Sequence, residues 1–138
     1  VETELTVGMG GGAQATVDPY LYSVVMLIHP ERTPEEALAA LDTEILHVQE
    51  EKVSAEEVAR AVKQAKALFA YGSESVTNQA FWMGYAEIFA DYDWFLTYLD
   101  KLAAVTPDDV QRVAKKYFQK KARVVGIYLP VNEEISNE

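Results

Sequence analysis

Three helix starts are written into the chain with unusual clarity, and they constrain its fold more than any other feature. Thr33 is followed three residues later by Glu36, Ser54 by Glu57, and Thr106 by Asp109. In such a box the hydroxyl accepts the backbone N–H three residues on, while the carboxylate reaches back to the N–H of the capping residue, so two donors without a helical partner are satisfied at once. Pro34 and Pro107 occupy the first helical positions, where a missing N–H costs nothing. The chain is therefore cut into helices whose first residues are fixed locally.

From these starts the spacing predicts a first helix over Pro34 to Glu50, burying Ala37, Leu38, Leu41, Ile45 and Val48. A second runs from Ala55 to about Tyr71 on Val58, Val62, Ala65 and Phe69, a third from Thr77 to Phe89, and a fourth from Trp94 to Ala103. The last begins after Thr106 and buries Val110, Val113, Ala114, Tyr117 and Phe118. All recur at the helical period. Lys115, Lys116, Lys120 and Lys121 gather at the C-terminal, negative end of that last helix, where they complement its dipole.

The remainder reads as strand. Residues 3–9 alternate, with Leu5, Val7 and Met9 on one side, and Gly10, Gly11 and Gly12 are expected to end the run in a hairpin or bulge connection. Tyr20 to His29 is apolar on both faces, Leu21, Val25 and Leu27 against Tyr22, Val24, Met26 and Ile28, which predicts a central strand covered on two sides. Arg123 to Leu129 predicts a final strand. The order strand, strand, five helices, strand gives an α+β fold with a small mixed or antiparallel sheet, one domain or half-domain over residues 1–130 and a polar tail over 131–138. Three strands make a thin sheet, and further cover is expected from sequence outside this chain.

Composition narrows the function. At 138 residues and 49% hydrophobic content the chain can bury roughly two thirds of its unfolded surface. A net charge of -10 disfavours nucleic acid and anionic lipid as partners. No run approaches the ~20 apolar residues of a membrane span. Cysteine is absent, so there is no disulfide framework and no thiolate nucleophile, and the compartment stays open. The glycine cluster lacks the Gly-Lys-Ser/Thr of a phosphate loop.

No catalytic, cofactor-binding or metal-binding set emerges. The chain has two histidines, His29 and His47. His47-Val48-Gln49-Glu50-Glu51 approaches the inverted zinc motif His-x-x-Glu-His, but Glu51 stands where the second imidazole is required, and His47 lies on the solvent side of the first helix's stripe. The remaining concentration is aromatic, from Phe81 to Tyr98. It packs as a core between the third and fourth helices, or it presents part of itself to a companion domain. The candidates for such a surface are Trp82, Tyr85, Tyr92 and Trp94.

Several segments in order resemble the pitrilysin/insulinase family of zinc metallopeptidases, which includes the mitochondrial processing peptidase subunits. They are Asp18-Pro19-Tyr20-Leu21-Tyr22, Thr33-Pro34-Glu35-Glu36-Ala37, Val53-Ser54-Ala55-Glu56-Glu57-Val58 running on to Gln64, Ser73-Glu74-Ser75, Ala104-Val105-Thr106-Pro107-Asp108-Asp109-Val110, Ala114-Lys115-Lys116-Tyr117, and the strand ending at Pro130. The resemblance implies the second half of a noncatalytic, C-terminal domain. In that family two α/β domains close like a clam-shell around a peptide, with zinc and its ligands on the catalytic one. It thus implies a catalytic peptidase domain or subunit as partner, peptide substrate in the shared chamber, and zinc on that partner rather than here. The family's inverted motif is missing, so no ligand or base carries over to any position of this chain. Two other readings remain: a structural or assembly subunit of the same ancestry, and an unrelated helical module that binds a partner through its aromatics.

Overall fold

The computed structural model describes residues 4–14 and 16–130. Thr3, at the expected start of the first strand, and the polar tail over 131–138 lie outside the described residues. Two strands, β1 (Thr6–Ala13) and β2 (Tyr22–Ile28), precede five helices: α1 (Pro34–Glu50), α2 (Ala55–Gly72), α3 (Val76–Phe89), α4 (Tyr92–Ala103) and α5 (Pro107–Tyr117). A 3-10 turn, Lys120–Ala122, follows. The fold is α+β, as the sequence predicts.

The helices begin where their caps place them. At Thr33, Ser54 and Thr106 both halves of the capping box are formed. Ser75 and Asp91 cap α3 and α4 by accepting from Asn78 N and Trp94 N, so these two helices start one and two residues earlier than the apolar spacing alone suggested. Every predicted stripe position of α1 and α2 is buried or half-buried, whereas Val113 and Tyr117 of the stripe predicted for α5 are exposed.

Helices α1 and α5 pack together, α3 packs on α4, and α2 also meets α4. Gln49 ties the first pair: its side-chain amide donates to the carbonyls of Ala114 at 3.1 Å and Phe118 at 2.8 Å. The Ala114 carbonyl also accepts the Phe118 N–H at 3.0 Å, whereas the Phe118 carbonyl lies past the last turn, where helical donors run out. Gln111 donates to the carbonyl of Glu50 at 3.2 Å, and Lys52 pairs with Asp108 at 2.6 Å. Asp42, farther back on α1, holds the chain beyond α5 through Arg123 and through Lys120 at 3.0 Å. The two helices are thus antiparallel and pinned at successive levels.

The sheet departs from expectation in three ways. First, Gly10, Gly11 and Gly12 lie inside β1 rather than ending it, paired antiparallel with Val25, Val24 and Ser23. Glycine weakens a strand without forbidding one, and here a seven-residue partner is present to hold it. Second, the register shifts between Thr6 and Gly8, a bulge that breaks the strict alternation read from Leu5, Val7 and Met9. Third, among the described residues the sheet has two strands: residues 123–130 carry no ladder. A strand needs a facing row of backbone donors and acceptors, and none is offered to this segment.

Burial is correspondingly shallow. A compact monomer of 15.4 kDa exposes about 7,200 Å², whereas this chain exposes 11397 Å². About half of the unfolded surface is buried instead of the two thirds expected. Only Ala37, Ala86 and Ala114 are fully buried hydrophobic residues among those described.

Candidate functional site

Two apolar surfaces dominate the molecule. The aromatic one is continuous from α3 through α4 to α2. Phe81 stacks on Tyr85 at 5.8 Å, Tyr85 meets Phe89 edge-on at 5.2 Å, Phe89 meets Trp94 at 4.9 Å and Trp94 meets Tyr98 at 5.1 Å. Phe69 of α2 closes the series against both Phe95 and Tyr98. These separations suit edge and offset ring contacts. The series arises because Phe81, Tyr85 and Phe89 share one helical row, and Asp91 restarts the chain as a second helix beside the first.

The four aromatic candidates divide accordingly. Tyr85 and Trp94 are half-buried within this packing, while Trp82 is 41% exposed and Tyr92 44% exposed. Trp82 touches Tyr85 at 6.0 Å, so the outer ring is continuous with the inner ones. Tyr92 opens α4. Packing therefore claims one pair, and a surface is available at the other.

The second surface is the sheet, for which the sequence predicts cover beyond what this chain supplies. Tyr22 packs on Phe118 at 5.0 Å, and Met26 and Ile28 on the same row of β2 are half-buried. The opposite row, Leu21, Val25 and Leu27, is 62–65% exposed. The cover expected on both sides of β2 is thus present in part on one side only. Residues 124–130 are exposed as well, with Val124 at 96% and Tyr128 at 95%. The sequence signal for this was the doubly apolar run from Tyr20 to His29 itself: a strand that needs two covers in a chain that supplies one.

Among the described residues the histidines and the carboxylates stand in separate contacts. His47 Nε2 sits 3.1 Å from Glu51 Oε2 on the exposed face of α1, and His29 Nδ1 accepts from the N–H of Glu31. Among the described residues no group of three or more His, Cys, Asp or Glu side chains comes together to hold a metal ion, so these residues offer zinc no ligand set. The lowered carboxyls are structural. Asp109 falls from 3.8 to about 2, through the Thr106 hydroxyl first and then Arg112. Asp42 is lowered by its bond to Arg123 and then by Lys120, and Glu57 by the backbone and side chain of Ser54. Of the basic cluster, Lys115 and Lys116 lie in the last turn of α5 and Lys120 is paired with Asp42. No helix among the described residues is long and apolar enough to cross a membrane.

No protein-family model and no curated protein sequence matches the chain. Solved structures do. The inactive peptidase domain of a candidate zinc protease from Bordetella parapertussis superposes with a TM-score of 0.80 at 24% identity, over 92% of this chain and 68% of that one. A candidate zinc protease from Bordetella pertussis Tohama I gives 0.80 at 25% identity, over 94% of this chain and 72% of that one. A protease from Helicobacter pylori gives 0.75 at 16% identity, over 83% of this chain; the chain spans 28% of that protease's length. The chain has the fold found in these zinc-protease peptidase domains.

Proposed function

We propose that this chain is a noncatalytic segment of a zinc-dependent metalloendopeptidase, of the pitrilysin/insulinase type, which helps enclose and bind a peptide substrate while hydrolysis takes place at zinc on a partner domain or subunit. The observation that carries this reading is the superposition, over 92% of the chain, on the inactive peptidase domain of a candidate zinc protease. The scatter of the two histidines supports it: a hydrolytic zinc takes three protein ligands and leaves one position for water, and no such set of side chains converges among the described residues.

In this role the chain contributes shape and apolar surface. The exposed rings of Trp82 and Tyr92 are suited to a companion domain, because large flat side chains gain contact area at little cost in rotamer entropy.

The test is reconstitution. The chain alone should cleave no peptide in a zinc-dependent manner, and adding the cognate catalytic polypeptide should produce cleavage that the catalytic polypeptide alone lacks or performs at least ~10-fold more slowly. Zinc-dependent cleavage by the chain alone would overturn the proposal. Association with that polypeptide without any gain in cleavage would favour an assembly or structural role instead.

A further inference from the structure

Helix α3 has an outer row whose surroundings define the chemistry of what covers it. Met83, Tyr85, Ala86 and Phe89 are its buried or half-buried residues, yet another side of the same helix is apolar too. Phe81 is 60% and Ile88 65% exposed, and Gly84 between them is open, since a Cβ there would meet nothing within 4 Å. The three stand at i, i+3 and i+7, one row of the helix surface. Trp82 adjoins the row, its ring 5.4 Å from that of Phe81. A helix that is apolar on every side has the pattern of one packed all round, and here one side is bare.

The charges around the row have a single sign. Between Lys66 and Lys101 the sequence holds no basic residue, while Glu74, Glu87, Asp91, Asp93 and Asp100 are acidic. Glu87 is one turn from Gly84 on α3, and Glu74 and Asp91 lie just outside the two ends of that helix. Among the described residues none of these five carboxylates has an ion-pair partner. Exposed apolar surface rimmed by polar groups marks a contact site, and uncompensated carboxylates at its margin select a partner by charge. They attract Lys and Arg, and they repel nucleic acid, anionic lipid and the same face of a second copy.

We propose that the outer row of α3, Phe81, Gly84 and Ile88 with Trp82 beside it, docks an apolar segment of a partner protein that carries Lys or Arg at its margins. Gly84 sets how closely the segment approaches, and Glu74 and Glu87 select its charge. That the partner is a catalytic domain or subunit rests on the proposed function above; the chemistry of the face rests on α3 itself.

The test is the binding of synthetic helical peptides of about five turns to the 138-residue chain, followed by fluorescence anisotropy at physiological salt. A Leu/Lys amphipathic peptide should bind at least ~10-fold more tightly than a Leu/Glu peptide or a Gln/Lys peptide without apolar residues. Gly84→Trp fills the open position and should weaken that binding ~10-fold, with unchanged circular dichroism. The pair Glu74→Lys and Glu87→Lys should weaken it similarly, whereas the same charge change before and on α1, Glu31→Lys with Glu44→Lys, should cost much less. No binding of the Leu/Lys peptide would overturn the proposal, as would equal binding of the Gln/Lys peptide or equal losses from the two charge-reversal pairs. Self-association of the chain that Gly84→Trp abolishes in sedimentation would assign the face to a second copy instead. Peptide binding of the predicted pattern beside failed reconstitution of cleavage would keep this face and remove the peptidase role; restored cleavage without peptide binding would remove this face alone.

Discussion

At the scale of single residues, close approach separates positions that look alike in the sequence. A Cβ at Gly11 would lie 2.7 Å from the Ser23 carbonyl oxygen, whereas one at Gly12 would meet nothing within 4 Å. Gly11→Ala should destabilise by about 1–3 kcal/mol, because backbone rather than a pliant side chain must shift. Gly12→Ala should be neutral or stabilising by up to about 1 kcal/mol through the lost freedom of the unfolded chain; urea unfolding of both variants compares them directly. Gln49→Ala removes two donors from the end of α5 and should cost about 1–3 kcal/mol in the same assay. Asp109, with its folded value lowered to about 2, contributes stability above its ordinary 3.8 that disappears as pH falls through about 2. Asp109→Asn should therefore flatten that part of the acid-unfolding curve and leave the neutral region with a constant offset. None of these distances could be read from residue order, although Asp109 as the partner of Thr106 could.

At the scale of elements, what was legible follows from how local the physics is. Caps are settled within four residues, so α1 begins and ends where its sequence places it and α2 extends one residue past its predicted end. Thr106→Ala should cost about 1 kcal/mol by thermal unfolding, since it removes the hydroxyl that accepts from Asp109 N while leaving the residue 106 backbone N–H bonded to the Asp109 carboxylate. Phe69→Ala should cost more, about 2–3 kcal/mol, because one half-buried ring joins α2 to both Phe95 and Tyr98 of α4. Strand pairing is not local. The glycines of β1 read as a loop because glycine is permissive in a turn, but the uninterrupted apolar run of β2 supplied a partner long enough to keep them in a ladder. The segment over 123–129 has strand composition, and composition cannot provide the neighbour that a strand requires. Of the candidate surface, the outward rings of Trp82 and Tyr92 were legible in the aromatic cluster. The bare row of Leu21, Val25 and Leu27 was not, because which side of a strand stays open depends on which covers arrive.

At the scale of the whole molecule, a chain that buries only about half of its unfolded surface carries the architecture of a zinc-protease peptidase domain without a zinc-binding constellation of its own among the described residues. On the proposed function, the exposed apolar surface and the lack of a ligand set among the described residues have one common reading, that cover and chemistry lie on a partner domain or subunit. Binding of such a partner should raise the thermal midpoint of the chain with the logarithm of the free partner concentration above its Kd. The most direct test of the account is zinc binding by the purified chain, measured by equilibrium dialysis beside its His47→Ala variant. Both proteins should retain less than about 0.1 equivalent of zinc, since a stable site requires three converging ligands; one equivalent held by the parent chain and lost in His47→Ala would contradict it.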